Sequence, residues 1–205
     1  MEINEIQLDA ICELGNIGAS HAATTLSQML NSQIDMTVPK AEIIDISDVY
    51  KYIGEEIAAL VVFEIQGELA GGGYLVVYIP QTSILRMTNR MLGMPPDETS
   101  REMNEMDESA TLEVGNIMAS AFLDATAELL GMVMIPSPPS MALDMAHAAM
   151  ESVIANVAMD VDDVILFETE LKSDEPSIYC NIFMLPETGL LEKMLRLMEE
   201  MLGVQ

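Results

Sequence analysis

The chain has 205 residues, half of them hydrophobic, and carries a formal net charge of −26. This length and composition argue against disorder and predict a packed core, either as one compact domain or as two small fused halves. So acidic a surface repels phosphate backbones and anionic headgroups, which argues against nucleic-acid and membrane-surface binding and favours a partner with exposed Lys or Arg.

In chain order, the first half begins with a long helix and ends with a short amphipathic one. Asn4 or Asp9 is expected at the start of the long helix, because short polar side chains cap helix N-termini. Gly71-Gly72-Gly73, between two runs of β-branched and aromatic residues, is typical of a hairpin. The predicted elements are a helix over 6–30, an alternating extended stretch over 34–47, strands over 58–66 and 74–79, and a helix over 81–92.

The second half follows a turn-rich connector, 93–100, and repeats most of this order. Asp107 is expected at the start of its long helix, and Pro186, like Pro80, opens the closing helix, since proline is tolerated in a first helical turn. The halves differ after the long helix, where the second carries a helical pattern rich in Ala and Met. The predicted elements are helices over 105–130 and 141–157, strands over 164–171 and 178–185, and a helix over 187–202.

The sequence repeats itself with a period of about 100 residues. E-L-G-N-I-G-A-S at 13–20 returns as E-V-G-N-I-M-A-S at 113–120, with two of the eight positions changed. One domain over 1–205, built from related halves 1–99 and 100–205, is therefore expected. Because helices and hairpins occur in runs, we predict an α+β fold with a mostly antiparallel sheet joined about a pseudo-twofold axis, and two long, exposed active-site helices.

Several classes of self-sufficient enzyme are disfavoured by residues that the sequence lacks. Cys12 and Cys180 form no C-x-x-C pair, and the only histidines are His21 and His147, so neither a zinc site nor a serine triad is expected. The sequence contains no G-x-x-x-x-G-K-[ST] and no G-x-G-x-x-G. The longest apolar stretch, 57–63, is too short to cross a bilayer, and the acidic start lacks the basic region of a secretory signal. We expect a cytoplasmic protein with no metal or cofactor of its own.

Two polar trios mark one face of each long helix. They are Asp9, Glu13 and Asn16 in the first helix and Ser109, Glu113 and Asn116 in the second. At 3.6 residues per turn, positions i, i+4 and i+7 lie within about 60 degrees of one another. The opposite side is apolar and includes Gly15 and Gly115, where glycine costs about 1 kcal/mol relative to alanine. The trios are therefore expected to face water or a partner, and the glycines to mark a close contact.

A glutamate and an asparagine three residues apart can assist phosphoryl transfer without a metal of their own. An amide can hold a water molecule by accepting one of its protons and donating to its oxygen. Some GTPases orient the attacking water in this way. The carboxylate can pair with a cation on a partner. The alternative interpretation is a solvated face that duplication simply preserved.

The pattern [D/S]-x3-E-x2-N, present twice at a spacing near 100, resembles the CheC family of chemotaxis phosphatases, which is related to CheX and FliY. The resemblance covers essentially the whole chain and includes the two E-x-G-N-I-x-A-S segments. CheX-like proteins usually keep one such helix site, and FliY-like proteins add a further domain. Two sites within 205 residues therefore favour CheC.

The resemblance implies a substrate and roles for four residues. The substrate would be the response regulator CheY, phosphorylated on an aspartate, with Mg2+ bound by the regulator. Asn16 and Asn116 would orient the attacking water. Glu13 and Glu113 would pair with the regulator's conserved lysine.

Asp9 and Ser109 would support the helix face or the partner contact. Similar proteins also bind CheD, a receptor-modifying deamidase, so CheD is a second expected partner. The competing hypothesis is a non-catalytic adaptor that binds CheD or the response regulator without accelerating hydrolysis. A third possibility is an acidic structural protein with no regulator partner.

Overall fold

A computed structural model describes residues 5–30, 33–67, 72–157, 159–172 and 178–202, and these form helices around an antiparallel sheet, as predicted. No helix within these ranges is both long and apolar enough to cross a membrane. The helices are α1 (Glu5–Leu30), a 3-10 helix (Ile46–Tyr52), α2 (Gln81–Met91), α3 (Glu105–Leu130), α4 (Ala146–Val157) and α5 (Thr188–Leu202). The strands are β1 (Asp35–Asp45), β2 (Ile57–Gly67), β3 (Gly73–Pro80), β4 (Met134–Pro136), β5 (Ser140–Met145), β6 (Asp163–Lys172) and β7 (Ile178–Pro186).

Strands from the two halves of the chain interlock in one sheet. The strand order is β1, β6, β7, β3, β2, β4, with β5 also paired to β2, and every pairing is antiparallel. The strand just before the hairpin of each half thus pairs with the hairpin of the other half, β1 with β6 and β5 with β2. The two hairpins meet at the centre, where Val76 lies opposite Phe183. A pseudo-twofold axis between β3 and β7 therefore relates the halves.

Helices cover both faces of the sheet. The inner face packs against α1, α2, α3 and α5, and it buries strand residues such as Phe63 and Phe167. The 3-10 helix and α4 cover the outer face, where Leu60 and Leu166 are buried. Because successive strand residues point to opposite faces, a sheet covered on both sides requires strands that are apolar almost throughout. The near-continuous apolar runs of β2, β3 and β7 meet this requirement.

The predicted long helices, hairpin strands and closing helices agree with the structure, but the segment after α3 needs a correction. Residues 141–145, predicted as the start of a helix, belong to β5, and the helix begins only at Ala146. The reason is tertiary: β5 pairs with β2, a strand about 80 residues earlier, and this pairing outweighs the helix propensity of Ala and Met. The 3-10 helix after β1 is a further element that the sequence pattern does not predict.

The predicted helix starts also need correction. Asn104, and not Asp107, caps α3, since the Asn104 side chain accepts a hydrogen bond from the backbone N–H of Met106 at 2.9 Å. Asp107 is the third helical residue, and its carboxylate accepts from the backbone N–H of Asn104 at 2.8 Å, which completes a capping box. Asp9 lies inside α1, which starts at Glu5, and Asn4 lies outside the described residues, as does part of the glycine run between β2 and β3.

Gly15 and Gly115 allow the long helices to lie close against the sheet, as their mid-helix positions predict. A Cβ on Gly15 would lie 2.7 Å from Cδ1 of Phe167, which is tighter than any normal packing contact. A Cβ on Gly115 would lie 3.0 Å from three side-chain atoms of Val61. The unfavourable helix propensity of glycine is therefore offset by close packing at both positions.

A buried ion pair joins the start of α3 to the connector between the halves. Arg101 donates through Nη2 and Nη1 to the two carboxylate oxygens of Asp107, at 2.6 and 2.7 Å, and the Asp107 side chain has no exposed surface. Arg101 Nε donates to Oδ1 of Asn89 in α2 at 3.0 Å. The Arg101 guanidinium, helped by the backbone N–H of Asn104, keeps the pKa of Asp107 below its usual value although burial acts in the opposite direction.

Replacing Gly15 by alanine is expected to destabilise the fold by about 1–2 kcal/mol, because overpacking against Phe167 outweighs the better helix propensity of alanine. Gly189, in α5, is the matched control, because no atom lies within 4 Å of a Cβ placed there. Gly189→Ala is expected to stabilise by up to about 1 kcal/mol. Urea unfolding followed by circular dichroism measures both changes. A Gly15→Ala protein more stable than the wild type would contradict the close contact.

The Arg101–Asp107 pair predicts a defined pH dependence of stability. Because the pKa of Asp107 is lower in the folded chain than its unfolded value of about 4, its contribution is complete above about pH 5 and is lost as the pH falls through the folded pKa. Asp107→Asn is expected to cost about 1–3 kcal/mol near neutral pH, and less as the solution is acidified. Urea titrations at several pH values measure this difference. Asp97→Asn, at an exposed site in the same connector, should change the curve little, and a cost of Asp107→Asn that does not vary with pH would contradict the ionic role.

Candidate active site

Helices α1 and α3 lie side by side on the inner face of the sheet. Gly18 of α1 brings them together, because a Cβ at this position would lie 3.0 Å from the Cα of Phe122 in α3. Phe122 in turn contacts Phe167 of β6 edge to face, with ring centroids 5.4 Å apart. These contacts bury the apolar sides of both helices and leave their opposite sides facing outward.

The structure places all six predicted site residues on the outward sides of α1 and α3. Neither asparagine is packed in the core, and only Asn16 is half-buried. The exposed residues are Asp9, Glu13, Ser109, Glu113 and Asn116. The structure thus brings each trio together on one helix face and keeps the two trios on separate helices.

In the first trio, the amide of Asn16 is already engaged. Its Oδ1 accepts a hydrogen bond from the backbone N–H of Val38 at 3.1 Å, and its Nδ2 donates to the carbonyl of Cys12 at 3.1 Å. Val38 lies where the register of β1 against β6 shifts, between Thr37 and Lys40. The amide therefore satisfies a backbone donor that the irregular strand leaves outside the regular ladder.

In the second trio, the amide of Asn116 is free. No side chain or backbone group within the described residues hydrogen-bonds to the Asn116 side chain. The residue 100 positions after Val38 is Pro138, which has no N–H to donate. The segment is held by β2 instead, because Ser137 donates its backbone N–H to the carbonyl of Glu64 and accepts from the Glu64 N–H through its hydroxyl, both at 2.9 Å.

Reasoning from the sequence alone does not identify Val38 as a partner of Asn16. The signal is nevertheless present, because Val-Pro at 38–39 becomes Pro-Pro at 138–139 and the second copy loses the donor. Cys12, whose thiol lies 3.9 Å from Nδ2 of Asn16, is likewise replaced by Leu112. The two trios therefore match in position but differ in the hydrogen bonds of their amides.

The second trio presents a carboxylate and a free amide one helical turn apart. Residues i and i+3 have Cβ atoms about 5–6 Å apart, so Glu113 and Asn116 can contact one partner at the same time. The amide can donate to and accept from a water molecule, while the carboxylate can pair with a cation. The ranges described contain no group of three or more His, Cys, Asp or Glu side chains arranged to hold a metal ion.

Comparison with known proteins identifies relatives over nearly the full length. The CheC-like family matches residues 6–43 and 106–142, which include both site helices. The CheY-P phosphatase CheC of Bacillus subtilis is 30% identical over 198 residues, which covers 94% of this chain and 93% of that protein. The putative CheY-P phosphatase CheC1 of Halobacterium salinarum is 28% identical over 184 residues, which covers 88% of this chain and 90% of that protein.

Solved structures share the fold. The FliY of Thermotoga maritima superposes with a TM-score of 0.76 at 24% identity, over 100% of both chains. A chain of the FliM–SpeE complex of H. pylori superposes with a TM-score of 0.71 at 14% identity, over 97% of both chains. The two repeated helix sites predict membership of the CheC family. The match to the Bacillus protein, which is 30% identical over nearly its whole length, indicates the same family. The chain belongs to the CheC-like family.

Proposed function

We propose that this protein hydrolyses the aspartyl phosphate of a phosphorylated response regulator of the CheY type in chemotaxis signalling. The observation that carries the proposal is the exposed Glu113–Asn116 pair, whose amide has no partner among the described residues. The relatives from Bacillus subtilis and Halobacterium salinarum, named CheY-P phosphatase and putative CheY-P phosphatase, support the same substrate.

In this proposal Asn116 positions the attacking water. Its Oδ1 accepts one proton of the water and its Nδ2 donates to the water oxygen, so a lone pair of that oxygen is directed at phosphorus. The water oxygen bonds to phosphorus as the acyl P–O bond breaks. The regulator's aspartate leaves as a carboxylate, and the proton of the water passes to the released phosphate. The amide remains neutral, so it contributes positioning rather than proton transfer.

Glu113 provides the docking contact. Its exposed carboxylate lies one turn before Asn116 and pairs with the regulator's lysine beside the phosphoryl group. Ser109, one further turn before Glu113, extends the same contact surface. Mg2+ bound by the regulator supplies charge stabilisation when the two proteins meet. Such a division places the phosphate, the metal and the cation on the partner and the water-positioning amide on this chain.

The first site is expected to contribute less. Asn16 already uses Oδ1 for the N–H of Val38 and Nδ2 for the carbonyl of Cys12, so its amide has only one lone pair and one N–H left for a water. Turning the amide fully toward a water would leave the N–H of Val38 as a buried unsatisfied donor, at a cost of about 1–3 kcal/mol. Glu13 and Asp9 are exposed and remain available for docking. A cytoplasmic location, where response regulators act, is part of the proposal, and binding to CheD stays a prediction from the family resemblance.

Asn116→Ala is expected to reduce the rate of regulator dephosphorylation by roughly 10- to 100-fold, the scale for loss of one well-placed transition-state contact. Asn16→Ala should reduce it by less than about threefold, because that amide is already engaged. The double variant should lose roughly 10- to 1,000-fold. Phosphoryl decay of a cognate regulator with Mg2+ measures these rates. Asn156→Ala, an exposed helical asparagine in α4, serves as the control and should keep the wild-type rate.

Two outcomes would contradict the proposal in different ways. If the double variant dephosphorylates the regulator normally, the asparagines do not position the water. If the wild-type protein binds the phosphorylated regulator but leaves its decay unchanged, the protein is an adaptor rather than a phosphatase.

The same variants predict a difference in stability. Asn16→Ala is expected to destabilise the fold by about 1–2 kcal/mol, because the N–H of Val38 loses its acceptor. Asn116→Ala, at an exposed position without an intramolecular partner in the described ranges, should change stability by less than about 0.5 kcal/mol. Thermal and urea unfolding measure both values, and equal costs at the two positions would show that the Asn16–Val38 bond has no net effect.

A further inference from the structure

The N-terminal end of each polar trio carries a large exposed apolar side chain at the same position of the repeat. Ile6 lies seven residues before Glu13, and Met106 lies seven residues before Glu113. Seven residues make almost two helical turns, so each apolar residue lies within about 20 degrees of its glutamate around the helix and about 10 Å from it along the axis. Ile6 is 49% exposed and Met106 is 57% exposed.

The helices that pack beside α1 and α3 add exposed apolar side chains at the same ends. Met91 and Leu92 at the end of α2 are exposed, and they follow Asn89, whose Oδ1 accepts a hydrogen bond from Arg101, the ion-pair partner of Asp107 in the first turn of α3. At the other copy, Met201 of α5 is exposed. It lies two residues after Glu199, which accepts a hydrogen bond from Gln7 of α1 at 2.8 Å. Both copies thus have apolar surface at the start of the site helix.

The surroundings of these apolar residues are acidic. Glu105 and Glu108 are exposed on either side of Met106, and Asp9 is exposed one turn after Ile6. An apolar side chain within a negative rim is complementary to an apolar patch with a rim of Lys or Arg. In a chain with a net charge of −26, such a partner is also attracted over the whole surface.

We propose that Ile6 and Met106 are apolar anchors that dock the response regulator through an apolar patch, rimmed by basic side chains, beside its phosphorylated aspartate. This inference rests on the proposed function, because it assigns the same partner to the same helix faces. The anchors determine how tightly the regulator binds, whereas Asn116 determines how fast the bound phosphoryl group is hydrolysed. The matching positions in the two copies give both sites the same docking orientation.

The test replaces the anchors by serine, which removes apolar surface without adding charge and is compatible with a first helical turn. The Ile6→Ser/Met106→Ser double variant is expected to bind a receiver domain loaded with beryllium trifluoride and Mg2+ about tenfold more weakly than the wild type, by isothermal titration calorimetry. In phosphoryl-decay assays KM should rise by a similar factor while kcat is retained. Ile135→Ser is the matched control, since Ile135 is 55% exposed but lies beyond the far end of α3.

The outcomes separate this inference from the proposed function. Wild-type binding by the double variant, or an equal loss with Ile135→Ser, overturns the anchors whatever the hydrolysis data show. Tenfold weaker binding by the double variant supports the anchors even if the wild-type protein fails to accelerate hydrolysis, a result that would overturn the phosphatase proposal alone. If the wild type does not bind the loaded receiver at all, both the anchor proposal and the phosphatase proposal are wrong. If sedimentation experiments instead show that the wild-type protein is a dimer and the double serine variant is a monomer, the apolar ends join two copies of this chain and the inference is wrong.

Discussion

The close contact between the two long helices and the sheet determines which side chains of those helices face outward. Gly15 and Gly115 touch the sheet where a Cβ would collide with Phe167 in one copy and press tightly against Val61 in the other. Asn16 and Asn116 follow these glycines directly, about 100 degrees further around each helix. A rotation that relieved the glycine contacts would therefore also turn the asparagines away from their present positions. The apolar packing below the helices fixes the direction of the polar groups above them.

A symmetric fold does not make the two sites chemically equal. The strands interlock about a pseudo-twofold axis, yet the two copies differ in one backbone N–H, because Val38 can donate to an amide and Pro138 cannot. The irregular register of β1 needs an acceptor, and Asn16 provides it. In the second half, Ser137 pairs with β2 and leaves Asn116 free. One site therefore supports local structure while the other remains available to a partner.

The sequence predicts those features that depend on local periodicity and on the repeat. Both long helices, the hairpin strands and the outward faces of the trios follow from spacing alone. Strand β5 does not, because its pairing with β2 depends on residues about 80 positions away, and its own composition favours a helix. The role of Asp107 is local, since Asn104 and Arg101 lie only three and six residues before it, but both Asn104 and Asp107 are residue types that cap helices, and only the hydrogen bonds distinguish the cap from the third helical residue. The bond between Asn16 and Val38 is visible only once β1 is placed beside α1.

A neutral amide can accelerate hydrolysis only by position, so its value depends on how accurately the partner is held. Electrostatic attraction to an acidic surface increases the frequency of encounters, but at physiological salt it fades over about 8 Å and fixes no orientation. Contacts at two separated points on a rigid helix do fix an orientation. Glu113 and Met106 lie about 10 Å apart along α3, with Asn116 beyond the glutamate on the same side. A partner held at both points presents its phosphoryl group to the amide at one distance and one angle, which is the condition that in-line attack requires.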